Sequence, residues 1–231
     1  MPEQLYLAVL LVLTLGSCTG RGEDPGASSV EISPTAEEDS SKQEELLSFL
    51  QKQDPKLAEL TAAELGQVKK VRLNHDYTSD ELALLNELPE LREVMIWRDG
   101  DERREYRLKE APTDADLQIL ASIGQLETLR IGGWNVPYRD AGMAALTKLR
   151  RLKHLYLTSA QRISDESMKS VAAMPALETL DISYMGITDL GLAYLMESSS
   201  LQRVRYGWGG RTRSSLAAFQ EAHPEPGFVM E

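Results

Sequence analysis

The side chains of this 231-residue chain best suited to move protons near neutral pH are its three histidines, His75, His154 and His223. They lie far apart, and none belongs to the H-E-x-x-H arrangement that binds zinc from one helix face. No G-x-S-x-G turn presents a serine, and the single cysteine, Cys18, has no second thiol to pair with. Gly207-Trp208-Gly209-Gly210-Arg211 is glycine-rich but lacks the Gly-Lys-Ser/Thr ending of a phosphate loop. The remaining catalytic option is a hydrolase centred on His154, with Asp181 behind it and Ser159 or Ser183 in front. Such a set needs a water-excluded pocket and an oxyanion site, and an open sheet face supplies neither. No catalytic residue, metal ligand or cofactor is assigned, and the chain does not read as an enzyme.

Cys18 offers different chemistry. Leu5–Leu15 is nearly continuous aliphatic, interrupted by Tyr6, Ala8 and Thr14. As a helix this run rises about 16 Å, half a bilayer core, so it reads as the apolar part of a signal peptide over 1–17. The Leu15-Gly16-Ser17-Cys18 that follows resembles a bacterial lipobox, in which the cysteine is diacylated and becomes the mature N-terminus. The resemblance implies a lipid anchor in the bacterial cell envelope, held by about 0.8 kcal/mol per buried CH₂. Thr19 after the cysteine resembles the outer-membrane sorting pattern. Met1-Pro2-Glu3-Gln4 departs from both signal types in carrying no Lys or Arg, and a secreted chain with unacylated Cys18 is the alternative. Thr19–Gln43 has only Val30 and Ile32 as sizeable apolar side chains, too little to offset its ordering entropy, so 18–43 reads as a flexible tether spanning about 25–30 Å.

The formal net charge is −11, with 11 acidic and 4 basic residues in Met1–Leu60 and 25 and 21 in the remainder. The body is close to balanced and has no general attraction for nucleic acid.

What must position any site is a repeat. Apolar residues recur at positions one, four and six of hexads that begin at Val68, Leu91, Leu126, Leu152, Leu177 and Leu201. Positions four and six alternate with period two, which predicts short strands. Between them lie helical pairs: Leu82/Leu85, Leu117/Leu120, Met143/Leu146, Met168/Val171, Leu192/Leu195 and Leu216/Phe219. Asp114, Asp140, Asp165 and Asp189 each precede the first apolar residue of a pair by three, where a carboxylate can cap free amides and meet the positive helix end. Upstream, Leu46, Leu47, Phe49 and Leu50 predict a helix over Glu44–Gln53, ended at Asp54-Pro55. The organisation expected is therefore a helical cap at 44–67, repeats at 68–211 and a C-terminal cap at 212–231 containing a helix at Leu216–His223.

These phrases, clearest in Leu177-Glu178-Thr179-Leu180-Asp181-Ile182 and Ile187-Thr188-Asp189-Leu190-Gly191-Leu192, resemble those of leucine-rich-repeat proteins of the ribonuclease-inhibitor-like kind, in a short bacterial form. The resemblance covers about Val68–Phe219. It implies an α/β right-handed solenoid, an arc with a parallel sheet on the concave face and helices on the convex face. One departure stands out. The turn position that often holds Asn or Cys in the family carries Asp76, Asp99, Trp134, Ala160, Met185 and Gly209 here, so an asparagine ladder is absent.

Strand positions three, five and seven set the open face. Reading across, the central column is Arg72, Met95, Arg130, Tyr156, Asp181 and Arg205, with Trp97 and His154 beside it. Exposed Trp, Tyr and Arg are the types that dominate interface hot spots. We read these eight residues as a surface for an unknown protein partner; against this stands the reading that the charges merely keep a sheet face soluble, with Arg130 paired to Asp181 across the strand of Tyr156. The alternative is a structural envelope component without a specific ligand. The interval before the third hexad carries an insertion, Arg98–Lys109, dense in both charge signs and read as a solvated loop.

Overall fold

The hexads pair side by side in chain order. The computed structural model describes residues 36–74, 76–96, 112–132, 136–206 and 221, all within the unit Thr35–Glu231. The signal segment, Cys18, His75, Trp97, the 98–109 insertion, Gly207–Arg211 and most of the C-terminal cap with His223 lie outside the described residues. Six strands form one parallel sheet in the order β1 (Lys70–Leu73), β2 (Glu93–Ile96), β3 (Thr128–Gly132), β4 (His154–Thr158), β5 (Thr179–Asp181) and β6 (Arg203–Arg205). Each starts two residues after the first apolar residue of its hexad. The residue between accepts from the next repeat: the N–H groups of Arg92 and Glu93 both donate to the Lys69 carbonyl, and Gln202 and Arg203 repeat this on Glu178.

Helices join neighbouring strands: α2 (Ser79–Ala83), α3 (Asp114–Leu120), α4 (Asp140–Leu146), α5 (Glu166–Ala172) and α6 (Asp189–Leu195), each packed on the next. Positions one, four and six of the hexads meet the helical pairs in one continuous core, where Leu91, Val94, Ile96, Leu117 and Leu120 lose all contact with solvent. The turn position expected to hold Asn is filled by buried Ala160 and Met185. Just before each of them, Ser159 and Tyr184 adopt the left-handed conformation at φ 61°.

The first strand is covered by α1, which spans Ala36–Gln53 and buries Leu46, Phe49 and Leu50. It starts earlier than the apolar spacing places it, because Ser40–Glu45 are exposed and leave no apolar period to read. Its last residue latches the turn after β1. The Gln53 Oε1 accepts from the Asn74 N–H at 2.9 Å, its Nε2 donates to the Asp76 carbonyl at 2.6 Å, and its own carbonyl accepts from Asn74 Nδ2 at 3.0 Å.

The helix starts correct one expectation. Thr78 and Thr113 close their own helices with capping boxes, taking the N–H of Glu81 and Asp116 on their hydroxyls. Asp114, Asp140 and Asp189 do lie in the first turn of their own helices, but the side-chain hydrogen bonds of Asp114, Asp140 and Asp165 go to the start of the next helix. Asp114 Oδ1 accepts from the N–H groups of Arg139 at 2.7 Å and Gly142 at 3.1 Å, capping α4, whose own boundary residue Arg139 forms no side-chain cap. Asp140 accepts from the Ser164 N–H at 2.8 Å, the Ser164 hydroxyl at 2.6 Å and the Ser167 hydroxyl at 2.5 Å. Asp165 takes the N–H and hydroxyl of Thr188 at 2.8 and 2.6 Å. At the first junction the Ser79 hydroxyl donates to Asp116 at 2.7 Å.

This reach explains the glycine of the I-T-D-x-G-L phrase. A Cβ on Gly191 would stand 2.5 Å from Asp165 Oδ1, and one on Gly142 would stand 2.7 Å from Asp114 Oδ1. Burial works to raise the Asp140 carboxyl, but the Ser164 and Ser167 hydroxyls and the Ser164 amide outweigh it and hold the group below its usual range.

Alanine at an internal helix position ordinarily gains about 1 kcal/mol over glycine. Gly191→Ala is expected to do the opposite, losing about 1–3 kcal/mol to the clash, while Gly124→Ala, with open space around its Cβ, stays within about 0.5 kcal/mol. Thermal melts of the two variants decide this, and a Gly191→Ala protein melting at or above the parent would refute the carboxylate contact. Because the folded Asp140 carboxyl is depressed, its contribution is present above the usual carboxylate range and is lost as pH falls through the folded value. Asp140→Asn should therefore lower stability by about 1–2 kcal/mol at pH 7 and by less at pH 3. Urea midpoints of parent and variant that run parallel between these pH values would contradict it.

Candidate functional site

Parallel register brings the central column together. Arg72 pairs with Met95, Met95 with Arg130, Arg130 with Tyr156, Tyr156 with Asp181 and Asp181 with Arg205. Their neighbours in the strands are core residues of the opposite face, such as Val71, Leu129 and Leu155, so the column side chains are held by rigid backbone. His154 stands in the adjacent row, in register with Thr128 and Thr179.

The chemistry concentrates around Arg130. Its guanidinium carbon lies 3.8 Å from the centroid of the Tyr156 ring, and its Nε lies 3.6 Å from Glu93 Oε1. The same Glu93 oxygen accepts from Lys70 Nζ at 2.8 Å. Lys70, Glu93, Arg130 and Tyr156 thus form one chain of contacts across four strands. Arg72, Met95, Arg130, His154 and Tyr156 are half-buried.

Asp181 departs from the expected arrangement. It is 6% exposed, with Thr179 and Ser183 also buried on the same strand face. Short side chains here lie in register between longer ones, His154 and Tyr156 on one flank and Arg203 and Arg205 on the other. The Arg130–Asp181 pair that the solubility reading calls for is not formed. The Tyr156 ring occupies the intervening place and takes the guanidinium face, while Asp181 Oδ2 meets Arg205 at 3.6 Å and Oδ1 accepts from the Ser183 N–H at 3.0 Å.

The outline of a hydrolytic site is not assembled. Among the described residues His154 makes no hydrogen bond with Asp181, Ser159 or Ser183, and its Nδ1 has no partner. Among the described residues no three acidic, histidine or cysteine side chains cluster to hold a metal ion. Depressions of about 180 Å³ and about 560 Å³ lie at the N-terminal end, the first lined by α1 and Leu65, the second by Lys56–Leu60 and Val68–Lys70.

The column edge carries a second set of charges that sequence reasoning did not single out. Lys153 Nζ lies 2.9 Å from Glu127, which also faces Arg92 at 3.9 Å. The Lys153 hydrogen bond, against a small burial effect, holds the Glu127 carboxyl below its ordinary range, and the same bond raises the Lys153 ammonium. Hexad position two would have shown it, since Arg92, Glu127, Lys153 and Glu178 alternate in sign there.

No protein-family model matches the chain, and no curated protein is similar to it in sequence. Among solved structures, an internalin C2 of Listeria monocytogenes aligns at 17% identity and a TM-score of 0.41, covering 82% of this chain and 81% of that one. An internalin (inlF) of the same organism aligns at 16% identity and a TM-score of 0.39, covering 76% of this chain. The chain spans 58% of the length of that internalin. These superpositions are loose, and the strand order and register above stand on the coordinates alone.

Proposed function

We propose that this chain is a leucine-rich-repeat lipoprotein of the bacterial cell envelope that binds another protein through the sheet face of β1 to β6. In this reading the repeats curve as a right-handed solenoid with that face concave, and diacylated Cys18 ties the body to a membrane through the segment that precedes α1. The observation that carries the reading is the Arg130–Tyr156 stack at the centre of the column, half-exposed and held in place by Glu93. Arginine and tyrosine on rigid strands have the low ordering cost that interface hot spots need. The lipobox-like Leu15-Gly16-Ser17-Cys18 supports the envelope address.

Affinity capture from the native envelope tests the face. Tyr156→Ala and Arg130→Ala are each expected to reduce capture of the partner at least about tenfold. Undiminished capture by both would favour a structural envelope component without a specific ligand. The anchor is tested apart from this, by growth with a labelled fatty acid. Label should enter the parent and be absent from Cys18→Ala, and an unlabelled parent would leave the secreted alternative.

A further inference from the structure

We propose that Arg130 is the specificity residue of the sheet face and that it receives a carboxylate side chain of the partner protein, end-on, through its two terminal amino groups. The inference rests on the reading of that face as the binding surface. It starts from how the guanidinium is held. One flat side is covered by the Tyr156 ring at 3.8 Å. The Nε is buried and lies 3.6 Å from Glu93 Oε1, so a carboxylate cannot approach there without meeting the Glu93 charge. The Arg130 side chain as a whole is 36% exposed, and among the described residues its terminal nitrogens form no hydrogen bond.

A guanidinium stacked on one face and paired at its Nε still has the N–H donors of its two terminal nitrogens, at the spacing that matches the two oxygens of a carboxylate. Stacking on Tyr156 and the ion pair fix the rotamer beforehand, so little freedom remains to be lost when the anion docks. The surroundings favour a single negative group flanked by neutral ones. Met95 and Tyr156 stand on either side of Arg130 in register, and Glu93 repels a second carboxylate placed next to the first. The formal charges agree: on β1 to β4 this face carries Lys70, Arg72 and Arg130 against Glu93, on a chain whose net charge is −11.

The test has two arms. In the first, the Nε–H signal of Arg130 is followed by nitrogen-edited NMR while the full chain is titrated at constant ionic strength with acetyl-alanyl-glutamyl-alanine amide, its glutaminyl counterpart, or inorganic phosphate. The glutamyl peptide is expected to move the Arg130 signal saturably and the glutaminyl peptide to leave it in place, while Arg130→Lys, followed through the backbone amide signals of β3 and β4, is expected to bind the glutamyl peptide at least fivefold more weakly. Equal responses to the two peptides, or a stronger response to phosphate, would overturn the assignment. In the second arm, envelope capture is compared for Tyr156→Ala and for Arg130→Lys, which keeps the charge and loses the fork. Loss of capture in both supports the inference. Loss with Tyr156→Ala and full capture with Arg130→Lys overturns the carboxylate assignment while leaving the face as the binding surface. Full capture by both removes the binding surface, and the inference with it.

Discussion

A helix that begins inside a folded unit must satisfy amide groups that have no partner within it. In this chain α2 and α3 meet that demand with their own threonine caps, and α4, α5 and α6 draw on a carboxylate of the repeat before. Asp114 takes two amides at the start of α4, Asp140 and Asp165 each take an amide and its neighbouring hydroxyl one repeat further on, and glycine or serine leaves room for the carboxylate. Helices of seven residues are too short to persist alone. Once the carboxylates pin the starts of α4, α5 and α6 to their predecessors, the helices stack and the strands between them have one register open to them.

That register is what turns a list of strand residues into a surface. With Arg72, Met95, Arg130, Tyr156, Asp181 and Arg205 in line, Arg130 meets an aromatic ring and Arg205 an acid on the neighbouring strand. A slip of one residue on any strand would turn its leucines outward and put its polar residues among Leu129, Leu155 and Leu180. The core therefore protects the arrangement of the face without contributing a single atom to its chemistry. Tyr138 shows how strict that core is. It stands where Ile163 and Ile187 stand in later repeats, its hydroxyl has no hydrogen-bond partner among the described residues, and burial pushes its ionisation far above the ordinary phenol range.

The strands and the column were legible because both follow from spacing alone: a period of two within each hexad, and a near-constant interval between hexads. Two things were not. The aspartates stand beside their own helices in sequence, so local reasoning assigns them there; their true partners lie 23 to 28 residues on and are reached only when the repeats stack. Likewise the charges of Arg130 and Asp181 suggested a pair, but the geometry of a ring lying between them decides against it, and burial of Asp181 depends on the length of its flanking side chains. The early start of α1 was hidden for a simpler reason, since an exposed helical turn carries no apolar signal. Interactions between neighbours in space and strangers in sequence are what periodicity cannot report.

The links between repeats also differ in polarity. At the first junction the hydroxyl belongs to the earlier repeat, as Ser79, and the carboxylate to the later one, as Asp116. At every later described junction the carboxylate comes first and the donors follow. A repeat of the later kind placed ahead of Asp116 would bring two carboxylates face to face. The chain thus carries an order of assembly in its hydrogen bonds: the leading unit cannot trade places with its successors, and growth of the array by duplication is open only downstream of it.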